Sequence, residues 1–404
     1  MDCDDLVIGS GLVALGAVLG LLAEPDRRIT VLCGPQQGGF LHYDQRTLAP
    51  CAFLGSGGLG SHWHGVIPTG LRNRLGVVSD VDFHDLFRLF YPHAEIEASV
   101  GKVSLFIPWR PIRPWAELQR LAALHGAPRL KLLHESALMI RRQSGRVQVD
   151  TAVGQRQARR CWVAAGALHT PTLLAASFGP RMARGLASDH VQCYLGQLEG
   201  QPPPDIRYTR NGLFIPALAD LADRALFTLR PAKFDFRRLD AGFEHRQIFG
   251  LPTGSLLTKL LGKLSAGLLT EVLYNRLGLM GASRLHSVYA QVHVPDAYAM
   301  QARPMPLQAL TDRIRVTTDA IRATQPFANL RSSQRPELYL PGIHLHHTLD
   351  TVALAAEGLN EPSTPVHVID ASAIPDLGAE HHSFKMLVSA YRRVQRSPSA
   401  ETQP

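Results

Sequence analysis

Little in this chain suggests a disulfide framework, a metal cage or a polyelectrolyte. Its 404 residues include five cysteines, Cys3, Cys33, Cys51, Cys161 and Cys193, with no CxxC pair and no metal-ligand spacing. An odd, scattered set fits a reducing, cytoplasmic setting better than an oxidised scaffold. No run of like charge reaches five residues: the net charge of +8 is spread as pairs such as Arg27-Arg28, Arg141-Arg142 and Arg392-Arg393. Charge distributed in this way reads as solvated surface, with phosphate its best specific ligand, and argues against a nucleic-acid partner. There is no GxSxG, and the run GSGGLGS lacks the strand-to-helix setting of a serine hydrolase elbow. The apolar stretch VIGSGLVALGAVLGLLA (7–23) has no Lys or Arg before it, only Asp2, Asp4 and Asp5, and it is at the short end of a membrane span. Neither a signal peptide nor a transmembrane helix is predicted.

The composition is otherwise that of a globular protein, 45% hydrophobic and 19% charged. The length suggests two domains or one large α/β unit with insertions. Only the polar tail, 397–404, reads as disordered.

The stretch DDLVIGSGLVALGAVLGLLAE places a short apolar strand directly before Gly9-Ser-Gly11-x-x-Ala14 and a helix-compatible run, and RRITVLCGP supplies a second strand. Such a βαβ unit is the setting in which GxGxxA points to a dinucleotide. Gly9 allows the tight turn, Gly11 lets a pyrophosphate approach the backbone, and Ala14 keeps helix and strand close. The helix N-terminus favours the anion. One piece is missing: where a ribose-binding acid usually ends the second strand, this chain has Cys33 and Gly34.

Further on, LKLLHESALMIRRQSGRVQVDTAV reads as two or three strands, and RRCWVAAGALHTPTLLAASFG (159–179) as a strand, a glycine turn and a helix start. Near the C-terminus, VHVIDASAIPDLGAEHHSFKMLVSAYRRVQR (366–396) gives a strand, then Asp370-Ala-Ser-x-x-Pro375, two histidines and a helix. The loop GSGGLGSHWHG (55–65) carries Ser61, His62, Trp63 and His64 among its glycines.

Taken in order, these segments resemble the glucose-methanol-choline oxidoreductases, flavoenzymes that oxidise alcohols. The Gly-Gly pair followed by His-Trp is most similar to the pyranose oxidase and sugar-acid dehydrogenase branches. The resemblance covers residues 1–70, 128–195 and 337–396. It implies an α/β fold: a Rossmann-type FAD-binding domain built from discontinuous segments, with a smaller inserted α+β substrate domain. The expected division is 1–75, 128–195 and 337–396 for FAD, 76–127 as a connecting, substrate-side segment, and 196–336 as the substrate domain. It further implies FAD contacts at Gly9, Gly11, Ala14, Gly58, Ser61, His62, Trp63, Ala165, Gly166, Asp370 and Ala371. FAD is expected to be non-covalent, with a covalent bond through His62 as the alternative.

Alcohol oxidation needs a base for the hydroxyl proton, and histidine titrates close to working pH. Of the 18 histidines, two clusters stand out, PGIHLHHTLD and GAEHHSFKM. By resemblance, His344 is the base, and His381, with His382 close behind, is the partner that orients the substrate oxygen. His346 and His347 replace the family's small residue after the base. A metal at HxHH is disfavoured, since no carboxylate but Asp350 joins it, and no metal is expected.

The expected partner is a small-molecule alcohol, a sugar or a lipophilic natural product, with oxygen, a quinone or a protein as electron acceptor. Two other readings stay open: non-oxidative flavin chemistry such as an isomerase or lyase, and a degenerate, non-catalytic relative. The segment GSLLTKLLGKLSAGLLTEVLYNRLGLMG (254–281) has apolar residues at helical spacing with Lys259, Lys263 and Arg276 interspersed. It is expected to pack on the protein body, or alternatively to touch a membrane surface. The run SVYAQVHVPDAYAM is expected to be a strand ending at Pro295-Asp296.

Overall fold

The computed structural model describes residues 3–42, 50–63, 65–69, 80–96, 104–143, 145–167, 169–183, 185–199, 207–220, 225–232, 285–299, 303–304, 330–332, 339–341, 346–349, 351–361, 363–374 and 381–396. His64, His344, the segment 254–281 and the tail 397–404 lie outside them.

The first sheet is built around β1 (Cys3–Ile8), followed by α1 (Leu12–Leu21) and β2 (Ile29–Leu32). β2 is buried along its whole length, and β1 is buried from Asp5 to Ile8 with an apolar run Leu6–Ile8, as parallel strands covered on two faces must be. A hairpin, β3 (Gly39–His42) and β4 (Pro50–Leu54), leads to a 3₁₀ turn, Gly58–His62. Then come β5 (Ile67–Pro68), α2 (Asp80–Phe90), β6 (Ser104–Pro108) and α3 (Pro114–His125). Strands β7 (Leu130–Leu133), β8 (Ala137–Gln143), β9 (Arg146–Thr151) and β10 (Gln155–Val163) return the chain to the first sheet, followed by α4 (His169–Phe178).

The second sheet takes β11 (Gly185–Glu199), β12 (Arg207–Tyr208), β13 (Gly212–Asp220), β14 (Ala225–Ala232), β15 (Leu285–Ala299) and β16 (Arg303–Pro304). It also takes β17 (Leu330–Ser332), β18 (Tyr339–Pro341) and β19 (His346–Leu349). Helix α5 (Thr351–Ala356), β20 (Val366–Val368) and α6 (Ser383–Arg396) end the described chain.

The fold is α/β. In the first sheet the strand order is β7-β2-β1-β10-β9-β8, with β20 also on β10. Strands β7, β2, β1, β10 and β20 run parallel, whereas β8 and β9 are antiparallel. The second sheet runs β17-β11-β15-β14-β13-β6-β5. It draws strands from nearly every stretch of the chain: β5, β6, all of β11, and β18 and β19, which both pair with β11.

Two strand ends differ from expectation. β10, which the sequence suggests runs on through CWVAAGA to Gly166, stops at Val163; the Ala164 N–H to Ile8 carbonyl bond (2.8 Å) extends its ladder with β1 by one more bond, and Gly166 turns the chain with φ 86°. β15 does not end at Pro295-Asp296 but continues to Ala299. Its register against β11 shifts between Val294 and Tyr298. A bulge of this kind accommodates a proline that cannot donate to the ladder.

Two contacts set the position of the last helix. Adding a Cβ to Gly16 would bring it 2.1 Å from the Leu387 carbonyl oxygen, and a Cβ on Gly20 would lie 2.5 Å from the Tyr391 oxygen. α6 therefore runs parallel to α1 at backbone contact, and its first turn lies at the same end of the sheet as Gly11. α6 buries Phe384, Met386, Leu387, Val388, Ala390 and Val394, with Leu387 and Val394 in that seam and Phe384 turned to α2. An aromatic cluster joins the layers: Phe384 meets Phe83 edge-on at 5.2 Å, Phe87 meets Phe106 at 5.0 Å, and Phe106 meets Phe214 at 4.9 Å.

Candidate active site

The carboxyl ends of β1, β10 and β20 finish side by side. The Gly9 N–H donates to the Leu32 carbonyl (2.9 Å), Ala164 N–H to Ile8, and Ile369 N–H to Val163 (2.9 Å). β2 continues from β1 on one side while β10 lies on the other, so the crest above β1 is the point at which connections diverge. Open α/β sheets bind ligands at such a place.

Gly9 makes the turn there with φ 114°, and a Cβ would collide with the Ala164 carbonyl at 2.2 Å. Helix α1 then starts at Leu12 with no side-chain cap on Gly11 and no acid in its first turn. That N-terminus suits an anionic group. Ala14 is fully buried beneath it.

The glycine-rich loop lies across this helix start. The Gly57 N–H donates to Ser10 Oγ (2.8 Å), and Ser10 Oγ donates to the Cys33 carbonyl (3.1 Å), linking loop, turn and β2. Gly60 is wedged between Leu12 and Pro114, where a Cβ would lie 3.3 Å from the Leu12 nitrogen and 2.8 Å from Pro114 Cγ. From the other side, Arg113 at the start of α3 donates to the carbonyls of Ser61 (2.7 Å) and Trp63 (3.2 Å). Ser61 Oγ donates back to the Ser56 carbonyl (3.2 Å). Gly58 opens the 3₁₀ turn and His62 closes it. The His62 ring meets Phe53 edge-on at 4.9 Å. Burial, and then the Arg113 charge, hold the His62 pKa below the ordinary histidine value, so at neutral pH the imidazole is uncharged. Trp63 is 7% exposed and belongs to the core.

Across the crest, Asp370 is a clasp. Its buried carboxylate accepts from Gly166 N–H (2.8 Å), from the Thr170 hydroxyl and from Ser372 N–H (3.0 Å). Burial raises its pKa, and the hydrogen bonds from these donors pull the other way. The carboxylate is thereby engaged with the protein itself, holding Ala165-Gly166 and the Ala371–Ala373 turn together.

His381 is 4% exposed and, with His382, directly precedes α6. The parallel α1–α6 seam brings both to the end of the sheet that holds Gly9 and Gly11. His344 lies outside the described residues. The strand that follows it, β19, pairs with Gly185–Ser188 of β11 and packs beside the Ala371–Ala373 turn.

The fold is shared with a pyridoxine 4-oxidase. The crystal structure of that enzyme, from Mesorbium loti, aligns over 98% of this chain and 99% of its own, with a TM-score of 0.52 and 11% identity. An oxidoreductase from Agrobacterium tumefaciens aligns over 41% of this chain and 37% of its own, with a TM-score of 0.22 and 14% identity. A thioredoxin reductase from Gloeobacter violaceus aligns over 41% and 35%, with a TM-score of 0.20 and 12% identity. No family model and no curated protein matches the sequence. At 11% identity the pyridoxine 4-oxidase shows the architecture; the chemistry must be argued from the residues here.

Sequence reasoning missed Arg113, Ser10, Trp115 and Thr170. Arg113 stands before a proline-led helix, RPWAEL, which signals a helix start but not what the guanidinium reaches. Among the described residues no helix is long and apolar enough to cross a membrane.

Proposed function

We propose that the chain is an FAD-dependent oxidoreductase that oxidises an alcohol to a carbonyl compound. The observation that carries the reading is the convergence at the β1 crest of four separate segments: the uncapped Gly9–Gly11 helix start, the 56–63 loop, the Gly166–Asp370 clasp and the His381-His382 pair.

Bound there, FAD supplies a two-electron acceptor for the hydrogen on the alcohol carbon. The α1 N–H groups and Gly11 would hold the pyrophosphate. The Arg113-braced loop covers the helix start, and uncharged His62 would lie at the flavin end. In line with the family resemblance, His344 takes the hydroxyl proton, and His381, with His382 close behind, orients the oxygen. A buried imidazole such as His381 suits orientation, because its ring is already desolvated and held. FAD is bound non-covalently in this reading; a bond through His62 Nε2 or Nδ1 is the alternative.

The purified protein is expected to be yellow, and the colour to leave with the supernatant on acid precipitation. Retention in the pellet would establish the covalent form. Anaerobic mixing with a panel of alcohols that includes sugars and pyridoxine should bleach the flavin with at least one member, and His344→Ala should abolish bleaching while keeping the colour. A protein that binds no flavin would overturn the proposal, and one that is yellow but bleached by no alcohol would point to isomerase or lyase chemistry.

A further inference from the structure

We propose that His134, on a ledge with Ser56 and Trp115, holds the adenosine ribose of the dinucleotide in place of the acid absent from the end of β2. The proposal rests on the flavin reading above and deepens it.

Cys33, at the acid's position, does not replace it. Its side chain is buried, its thiol donates to the Val31 carbonyl (3.5 Å), and burial pushes its pKa up to about 12, so it stays neutral and turned inward. The nearest acid is also engaged: Glu135 is 8% exposed, and its carboxylate accepts from Arg156 and from Thr151 Oγ1 (3.0 Å).

His134 lies between them in sequence and beside Cys33 in space. The Cys33 N–H donates to the Leu133 carbonyl (2.8 Å) and Gly34 N–H to the Glu135 carbonyl (3.1 Å), so the residue abreast of the β2 terminus is His134. Unlike Cys33 and Glu135 it is exposed. Its Nδ1 is 3.3 Å from Ser56 Oγ, and its ring meets Trp115 edge-on at 5.2 Å. Ser56 adjoins Gly57, whose N–H is bonded to Ser10 between the two motif glycines. The ledge therefore stands between the pyrophosphate end of α1 and the β2 terminus, the span that a ribose occupies in this fold. Either tautomer leaves Nε2 outside the Ser56 bond, and Nε2 can donate to or accept from a ribose hydroxyl.

The test is calorimetric titration of the deflavinated protein with FAD and with ADP, which carries the ribose but no flavin. His134→Ala should weaken both by about tenfold, and His134→Gln should recover most of the loss. The unliganded melting temperature should stay unchanged, since His134 is exposed. ADP affinity equal to that of the parent would overturn the His134 assignment while leaving the flavin reading intact. A parent protein that binds neither ligand would overturn both.

Discussion

At the scale of single residues, the buried histidine His367 has a consequence for stability. Its ring stacks on Trp162 at 4.5 Å, beneath the sheet end where Asp5 accepts from Trp162 Nε1 (2.8 Å), Arg160 (3.0 Å) and Arg27 (3.2 Å). Burial, with the nearby Arg393 charge, lowers the His367 pKa to about 4, against 6.5 in the unfolded chain. The folded state thus binds fewer protons between those values, so stability present above pH 6.5 is lost as pH falls towards 4. His367→Phe keeps the stack and removes the titration. Chemical denaturation across pH 4–7 should show the variant gaining on the parent by about 3 kcal/mol over this range; parallel curves would refute the assignment. Asp370 illustrates the limit of motif reading at this scale. Its place in Asp-Ala-Ser-x-x-Pro drew attention from sequence, and its bond from the Ser372 N–H is local, but its other donors, Gly166 and Thr170, lie some 200 positions away and leave no trace in the motif.

At the scale of elements, α1 has two jobs that the sequence shows unequally. The GxGxxA turn was legible because every part of it is local: strand, glycines and helix start fall within a dozen residues. The second glycine pair, Gly16 and Gly20, is also plain in the sequence, yet its meaning depends on α6, more than 360 residues on. There the missing Cβ atoms let two helix backbones touch, which aligns His381 and His382 with the β1 crest. Gly16→Ala would gain helix propensity but force α6 outward. Overpacking of this kind should cost about 2 kcal/mol, read as a lower melting temperature and, if α6 positions the histidine pair, as a slower flavin reduction at unchanged flavin content. A stabilised Gly16→Ala protein would show that the seam yields more easily than its geometry implies. The glycines and histidines of the 56–63 loop drew attention in the sequence, its flavin-side role being implied only by the family resemblance, whereas its brace, Arg113, went unnoticed, because an arginine's reach is invisible to a pattern.

At the scale of the whole molecule, aromatic rings join the second sheet to α2 and α6, and α6 in turn lies on α1 of the first layer. Phe106 on β6 touches Phe87, Tyr91 and Phe214, and Phe87 and Phe83 lead to Phe384 on α6. Phe106 is fully buried, so Phe106→Ala should cost about 3–5 kcal/mol and separate the unfolding of the two sheets into distinct calorimetric transitions. A single sharp transition would show that other contacts couple them. The β1–α1–β2 unit followed from strand and helix patterns and the α/β class from the family resemblance, but the sharing of β5, β6, β11, β18 and β19 by the second sheet did not, since pairing between distant strands leaves no periodic trace.

The α1–α6 seam also has a consequence for how the protein is made. α6 leaves the ribosome about 370 residues after the helix it covers, which at ~5–20 residues per second is roughly 20–70 s of elongation. Through that interval Leu15, Val18 and their neighbours on α1 lack the cover that α6 gives them, and His381 and His382 have not yet been made. In the reading proposed above, the newborn chain is therefore expected to take up FAD only after synthesis has passed α6.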